Sequence, residues 1–305
     1  MNGVVATVGT FDGVHRGHWA VLEEIARRAS ARGGTSLLVT FNPHPLEIVN
    51  PRAAPLLLTT PDEKRLILAQ SPLDRVAFVP FSHELAEFTP ERFVREVLEE
   101  RFHVAELVIG YDHGFGRARA GDVAFLRRLG ESDGFAVDVV PAVLIDGRPV
   151  SSSLIRRAVA GGDLDSAAHA LGRPYAVTGS VVRGAGRGRA IGVPTVNLAP
   201  PPRKLLPPDG VYAARVAWRG GVHGAMLNLG ARPTFGDQAR TLEAHLFDFA
   251  GDLYGETVTV EFVRWLRDVA RFAAAEELRR QLEADRREAL AALAALTARG
   301  SAVNL

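Results

Sequence analysis

The sequence predicts two folds in succession: an α/β half built on a parallel sheet, then a β-rich half that closes into a small antiparallel barrel carrying a terminal helix. Three observations predict it. Through the first half, short β-branched runs alternate with segments of 3.6-residue apolar period, the pattern of repeated strand–helix–strand units. Past Gly172 the runs alternate apolar and polar residues and are divided by Gly- and Pro-rich turns. The length of 305 residues is about twice the ~150 of an average domain.

Val4 to Val8, Ser36 to Phe41, Arg75 to Val79, Glu106 to Ile109 and Ala136 to Val140 read as the buried strands of the first half. A parallel sheet covered on both faces binds ligands at the carboxyl ends of its strands, so function is expected in the loops that follow them. Two short helical pieces between Gly161 and Pro174 carry the chain onward, which divides it into 1–172 and 173–305. Tyr175 to Val182, Val211 to Trp218, Val222 to Leu229, Leu242 to Phe249 and Thr257 to Trp265 read as the strands of the second half. The second and third of these form the clearest hairpin, joined through Arg219-Gly220-Gly221. A last helix is expected from Ala274 to Arg299, with Leu278, Leu282, Leu293 and Leu296 on one stripe and Gly300 as its C-cap.

Composition removes several classes of function. The absence of cysteine excludes disulfides, thiolate catalysis and cysteine-ligated zinc. No run approaches the ~18 apolar residues of a membrane span, and Met1 to Phe11 lacks the basic head of a signal peptide, so a cytoplasmic protein without a membrane partner is expected. With 36 basic against 35 acidic groups, a nucleic-acid partner is not expected. Lys64 and Lys204 are the two lysines, and neither ends a P-loop motif. Phosphate must then be handled by Arg, His, backbone N–H groups or metal.

The richest stretch is Gly9-Thr10-Phe11-Asp12-Gly13-Val14-His15-Arg16-Gly17-His18, between the first strand and an amphipathic helix. A Gly-rich turn at a helix N-terminus offers N–H groups and the positive end of the helix dipole to phosphate, which gives Gly9 and Phe11 a place in that turn. Two imidazoles three residues apart can donate to oxygens whose charge rises during attack on phosphorus. The same spacing also suits His15 and His18 as caps or exposed residues, or as zinc ligands together with His44 or Asp112. Ser151, Ser152 and Ser153 precede a helix whose first turn carries Arg156, a permanent charge, though Ser clusters also serve as plain caps.

In the second half, Gly184-Ala185-Gly186-Arg187-Gly188-Arg189 leads into Pro194-Thr195-Val196-Asn197. Arg189 breaks the dinucleotide-binding spacing and Pro194 blocks the helix it requires, so the glycines suggest a flap whose N–H groups approach phosphate. Thr195 and Asn197 share a face of an extended segment and supply hard oxygens suited to Mg²⁺ with ATP, against the plain alternative of a polar strand face. Glu243 and His245 share the face opposite Leu242, Ala244 and Leu246. A carboxylate there can take the proton of an attacking alcohol, or simply be solvated.

Phe11-Asp12-Gly13-Val14-His15-Arg16-Gly17-His18 resembles the H-x-G-H signature of the nucleotidyltransferase superfamily in the form found in bacterial bifunctional riboflavin kinase/FAD synthetases. Phe41-Asn42-Pro43-His44-Pro45 and Ser151-Ser152-Ser153-Leu154-Ile155-Arg156 are further matches in order. The resemblance implies a Rossmann-like N-terminal domain in which His15 and His18 stabilise ATP phosphates during adenylyl transfer, while Asn42, His44 and Ser151 to Arg156 hold the triphosphate. After the fourth strand, Gly110-Tyr111-Asp112-His113-Gly114-Phe115-Gly116 departs from the family's G-x-D-F-R-F-G; Asp112 and Phe115 keep the flavin-side positions, but His113 and Gly114 replace the residues between them.

The stretch Gly184 to Leu198, then Gly210 to Ala213, Asn228 to Gly230, Arg232 to Phe235, Glu243 to Leu246 and Leu253 to Gly255, is similar to the riboflavin kinase module. That resemblance implies a six-stranded antiparallel barrel, Gly184, Gly186 and Arg189 on phosphate, Thr195 and Asn197 near Mg²⁺·ATP, and Glu243 as the base. Arg267-Asp268 with Arg271-Phe272 resembles a segment adjoining the flavin, with Val269 and Arg271 replacing the usual Glu and Lys. The expected function is a bifunctional enzyme that converts riboflavin and ATP to FMN, then FMN and ATP to FAD and pyrophosphate. A second reading keeps a riboflavin kinase, or a flavin- or nucleotide-binding protein, with an impaired adenylyltransferase half. A third, an RNA-binding barrel using Arg183, Arg187 and Arg189, is opposed by Glu243 and the balanced charge.

Overall fold

The computed structural model describes residues 3–111, 121–183, 195–219, 221–231 and 240–302. The chain divides into two compact units, Met1–Ser152 and Ser153–Leu305.

The first unit is a five-stranded parallel sheet in the order β3-β2-β1-β4-β5, formed by β1 (Val4–Val8), β2 (Thr35–Asn42), β3 (Arg75–Pro80), β4 (Val104–Gly110) and β5 (Ala136–Val140). Its central strands are apolar on both sides because both sides are covered. Val5, Leu38 and Val108 face α1 (Arg16–Ala31) through Leu22, Ile25 and Ala29. Ala6, Leu37, Val39, Leu107 and Ile109 face the opposite layer, which includes Val97, Leu98 and Leu126. Between β2 and β4 lie α2 (Pro45–Val49), α3 (Pro61–Leu68), α4 (His83–Ala86) and α5 (Pro90–Phe93), the last running into a π-helical Val94–Arg101. After β4 come α6 (Val123–Asp133), then β5 and a two-stranded hairpin of β6 (Leu144–Ile145) and β7 (Arg148–Pro149). At the end of the sheet away from the strand-end loops, the buried carboxylate of Glu106 on β4 forms ion pairs with Arg28 of α1 and with Arg32, the C-cap of that helix, each at 2.7 Å, and Arg28 also pairs with Asp138 on β5.

The second unit opens with α7 (Ser152–Ala160), whose first residue belongs to the first unit, and α8 (Leu164–Leu171), closed by Gly172 in the left-handed region. A closed antiparallel barrel follows in the order β10-β11-β12-β9-β8-β13, from β8 (Ala176–Val182), β9 (Val196–Leu198), β10 (Gly210–Trp218), β11 (Gly221–Ala231), β12 (Arg240–Leu246) and β13 (Thr257–Arg267). Its interior is filled by alternate residues, among them Val177, Leu198, Tyr212, Leu227, Leu242, Ala244 and Phe262, with the Tyr212 and Phe262 rings meeting edge-on at 5.2 Å. On the outside, α9 (Ala275–Ala302) lays Ala289, Ala292, Leu282 and Leu293 over Ala213, Met226 and Phe247.

Several expected bounds shift. Strand β9 has three residues, too few for an alternation to show, yet it closes the barrel between β12 and β8. Strand β12 ends at Leu246 rather than Phe249, the chain turning at Asp248 with φ +52. Gly300 does not cap the last helix, which continues to Ala302; a glycine weakens a helix interior by about 1 kcal/mol without ending it.

Candidate active sites

In the first unit the site is built on the turn between β1 and α1. His15 is the N-cap of α1, and its Nδ1 accepts from the His18 backbone N–H at 3.3 Å, while His18 Nδ1 accepts from the His15 N–H at 3.3 Å. The two imidazoles thus form a reciprocal capping box, a role usually taken by Ser or Thr with Glu. Their rings stack at 3.6 Å between centroids and 14°, and Phe11 stacks on His18 at 4.4 Å. With each Nδ1 accepting, each neutral ring carries its proton on Nε2, so the tautomer is set by the cap and Nε2–H is the donor. No acidic residue lies in the first turn of α1, leaving the positive end of its dipole for an anion. Gly17 lies close beside this stack: a Cβ there would lie 3.2 Å from the His15 ring, so the ring would have to shift by a few tenths of an ångström. The capping and phosphate-facing readings of the pair are therefore compatible.

The turn itself is held in an unusual conformation. Phe11 and Val14 have φ of +47 and +39, and Gly13 has φ of +83. Left-handed backbone costs roughly 1–2 kcal/mol at a residue with a Cβ, so surrounding bonds must fix it. Asp12, buried, accepts from the Leu58 N–H at 3.1 Å, the Thr59 N–H at 2.9 Å and the Thr59 hydroxyl at 3.1 Å. Thr59 Oγ1 in turn accepts from the Gly13 N–H at 3.0 Å. The Thr10 carbonyl takes Thr40 Oγ1 at 3.2 Å and Lys64 Nζ at 2.6 Å. Gly9 ties the turn to the sheet by donating to the Val39 carbonyl at 3.1 Å.

Beside the turn is a small cleft whose lining includes Asp12, Asn42, His44, Thr59 and Lys64. Asn42 closes β2, and His44 caps α2 with Nδ1 accepting from the Leu46 N–H at 3.2 Å. Lys64 is 7% exposed, and burial pushes its ammonium down to about 8 against the opposing pull of the Asp12 carboxylate. Ser152 is tied to the same turn, its Oγ donating to the Asp12 carbonyl at 2.8 Å. Ser151 precedes α7, and Ser153 and Arg156 lie in its first turns, Arg156 half-buried. Asp112 and Phe115 lie outside the described residues.

In the second unit, strand register assembles the site. Glu243 of β12 pairs with Asn197 of β9 on one side and Asn228 of β11 on the other. Their neighbours Leu242, Leu198 and Leu229 point into the barrel, so the three polar residues share its outer face. Opposed Cβ atoms in such a ladder lie about 4.5–5.5 Å apart. Thr195, two residues before Asn197, precedes β9. These hydroxyl, amide and carboxylate oxygens are a donor set that suits Mg²⁺. Among the described residues no group of three or more His, Cys, Asp or Glu is placed to hold a metal. Gly184, Gly186 and Arg189 lie outside the described residues.

Arg267 is engaged with the last helix. Its guanidinium grips the buried Asp285 of α9 through two bonds of 2.9 and 2.7 Å, and it also donates to the Asp268 carbonyl at 2.9 Å. Val269 is exposed. Sequence reasoning missed Lys64, Thr59 and Asn228 as site residues. The run Thr59-Thr60-Pro61-Asp62-Glu63-Lys64 carried one signal, the capping box in which Thr60 and Glu63 bond each other's backbone.

Residues 1–154 match the family model for FAD synthetase, and residues 171–293 match the family model for riboflavin kinase. The bifunctional riboflavin kinase/FMN adenylyltransferase of Pseudomonas fluorescens is 39% identical over 93% of this chain and 91% of its own. The protein of that name from Escherichia coli K12 is 37% identical over 93% and 90%. A crystal structure described as a macrolide-efflux protein from Streptococcus pneumoniae is 30% identical and superposes with a TM-score of 0.84 over 93% of both chains. Among the described residues here, no helix is long and apolar enough to cross a membrane. With the two models matched in order along one polypeptide and relatives aligned over nearly its whole length, the chain belongs to the family of bifunctional riboflavin kinases/FMN adenylyltransferases.

Proposed function

We propose that this chain makes FAD in two steps, phosphorylating riboflavin with ATP to FMN and then joining FMN to the adenylyl group of a second ATP with release of pyrophosphate. The kinase step is assigned to 173–305 and the adenylyl transfer to 1–172. FMN is the intermediate and FAD the product. The observation that carries this reading is the presence of two unlike sites in different units: the His15–His18 pair on the β1–α1 turn, and the Asn197–Glu243–Asn228 row on the barrel.

In the kinase half, Glu243 takes the proton from the terminal ribityl hydroxyl as its oxygen attacks the γ-phosphorus of ATP and ADP leaves. Thr195 and Asn197 would hold Mg²⁺, which when bound neutralises phosphate charge. Gly184, Gly186 and Arg189 would bind the ATP phosphates, and Arg267 would border the flavin while anchoring α9.

In the adenylyltransferase half, an FMN phosphate oxygen attacks the α-phosphorus of ATP. His15 and His18 donate from Nε2–H to the phosphate oxygens as negative charge builds there. Gly9 and Phe11 form the turn that meets the phosphates; Asn42, His44, Ser151, Ser152, Ser153 and Arg156 hold the triphosphate; and Asp112 and Phe115 contact FMN. No covalent enzyme intermediate is needed, because positioning and charge stabilisation supply the rate. The absence of cysteine suits work in a reducing, cytoplasmic compartment. Incubating the purified chain with riboflavin and Mg²⁺·ATP and separating the flavins over time tests the proposal. FMN should rise first and FAD follow; accumulation of FMN with no FAD would leave only the kinase.

A further inference from the structure

Lys64 has no part in the roles assigned above, yet it is the one amine in the first unit's cleft. Its helix, α3, begins at the capping box of Thr60 and Glu63 directly after Thr59, the residue that grips Asp12 and Gly13. The side chain then reaches back across the cleft wall, and Nζ donates to the Thr10 carbonyl at 2.6 Å. Among the described residues this is its one hydrogen-bond partner, and no carboxylate oxygen lies within 4.0 Å of Nζ. An ammonium has three protons to donate and is expensive to bury, so a buried ammonium with one carbonyl partner is poor structural design. The titratable groups around it are Asp12 from the turn, His44 and Glu47 across the cleft, and Glu63 on its own helix.

What the bond accomplishes follows from where Thr10 sits. The next residue, Phe11, has φ +47 and lays its ring on His18. The Thr10–Phe11 peptide is thus the joint that sets the ring behind the histidine, and Lys64 with Thr40 fixes its carbonyl.

We propose that Lys64, in its charged form, is a positioning residue for adenylyl transfer, holding the Thr10 carbonyl so that the turn keeps Phe11 against His18. This rests on the reading that the first unit makes FAD. Loss of the proton leaves an amine with a much weaker hold on the carbonyl, and the joint is released. Arginine keeps the charge at any accessible pH; methionine keeps the length without charge or donor.

The test uses the full chain and its Lys64→Met and Lys64→Arg variants, with FMN and Mg²⁺·ATP as substrates for FAD formation between pH 6 and 10. FMN formation from riboflavin in the same samples reports on the second unit, and circular dichroism with the thermal midpoint reports on the folding of the first. In the wild-type chain, FAD formation is expected to fall as pH rises through about 8, where burial has brought the amine. Lys64→Met is expected to lower kcat for FAD roughly tenfold to a hundredfold, a range typical of a small misplacement of catalytic groups. It should do so with little change in KM, with no fall near pH 8 and with the kinase intact. Lys64→Arg is expected to restore part of kcat and to remove the fall near pH 8. A residue that only packs would give neither the flattened pH profile nor rescue by arginine. The proposal is overturned if Lys64→Met makes FAD within twofold of wild type, or if either variant keeps the wild-type fall near pH 8. A wild-type chain that makes FMN but no FAD overturns the parent reading instead. Should Lys64→Arg not fold, the Lys64→Met profile decides alone.

Discussion

Glu243 stands directly across the β9–β12 ladder from Asn197, so a carboxylate and an amide from distant stretches of sequence share one outer face of the barrel. If Glu243 is the base, Glu243→Gln keeps size and hydrogen bonding but cannot accept the proton. FMN formation from riboflavin should drop roughly 10²- to 10⁴-fold, while FAD formation from supplied FMN continues. Chromatographic separation of the flavins measures both, and a variant that still phosphorylates riboflavin at the wild-type rate removes Glu243 from that role.

His18→Ala should act in the opposite sense. Removing one donor to developing phosphate charge typically costs roughly 10²- to 10³-fold in kcat. FAD formation should fall by that order with riboflavin phosphorylation spared. Loss of both activities from a folded His18→Ala chain would contradict the assignment of the two reactions to separate sites.

Gly17→Ala separates helix propensity from site geometry. Alanine in place of glycine within a helix is favourable by up to about 1 kcal/mol, but here the added Cβ would meet the His15 ring at 3.2 Å. The expected outcome is slower FAD formation without a lower thermal midpoint. Unchanged FAD kinetics would show that the imidazole stack yields without consequence.

The buried Lys64 also shapes stability. Its folded value of about 8 lies below the ordinary 10.5, so between those limits the unfolded chain binds more protons than the folded one. Stability therefore rises as pH climbs through that window, by about 3 kcal/mol at most. Urea unfolding of the first unit, followed from pH 7 to 10.5, should show the rise in the wild-type chain and none in Lys64→Met. A wild-type midpoint that is flat or falling across this window would contradict the buried charge.

Arg267→Met should loosen α9. The Asp285 carboxylate is 3% exposed, and stripping its partner leaves a buried charge with Gln281 as its side-chain donor at 2.8 Å. Breaking such a pair costs about 3–5 kcal/mol. Denaturation monitored by kinase activity should register a loss of that order; a change below about 1 kcal/mol would assign the bond to the solvent-exposed class.

Much of this was legible in the sequence, for reasons that differ by element. The three central strands of the first unit are apolar runs buried on two faces, and Val4–Val8 stands where its composition placed it. Strand β9 was not legible as a strand, because three residues carry no period and the barrel closure that recruits them is non-local. His15 and His18 were legible as a pair, but their mutual capping and stacking depend on the backbone at Phe11 and Val14. Lys64 and Thr59 meet the turn some 46 to 54 residues away in sequence, a separation at which spacing says nothing. Asn228 joined Glu243 only through register, which side-chain pattern alone leaves unset.

The two lysines fall one in each unit, and both are buried, Lys64 at 7% and Lys204 at 5% exposure. A peptidase that cuts only after lysine therefore finds no accessible bond of that kind among the described residues while the chain is native. Each scission then becomes a clock for the opening of one half: nicking after Lys64 times the parallel sheet, nicking after Lys204 times the barrel, and the fragment masses say which let go first.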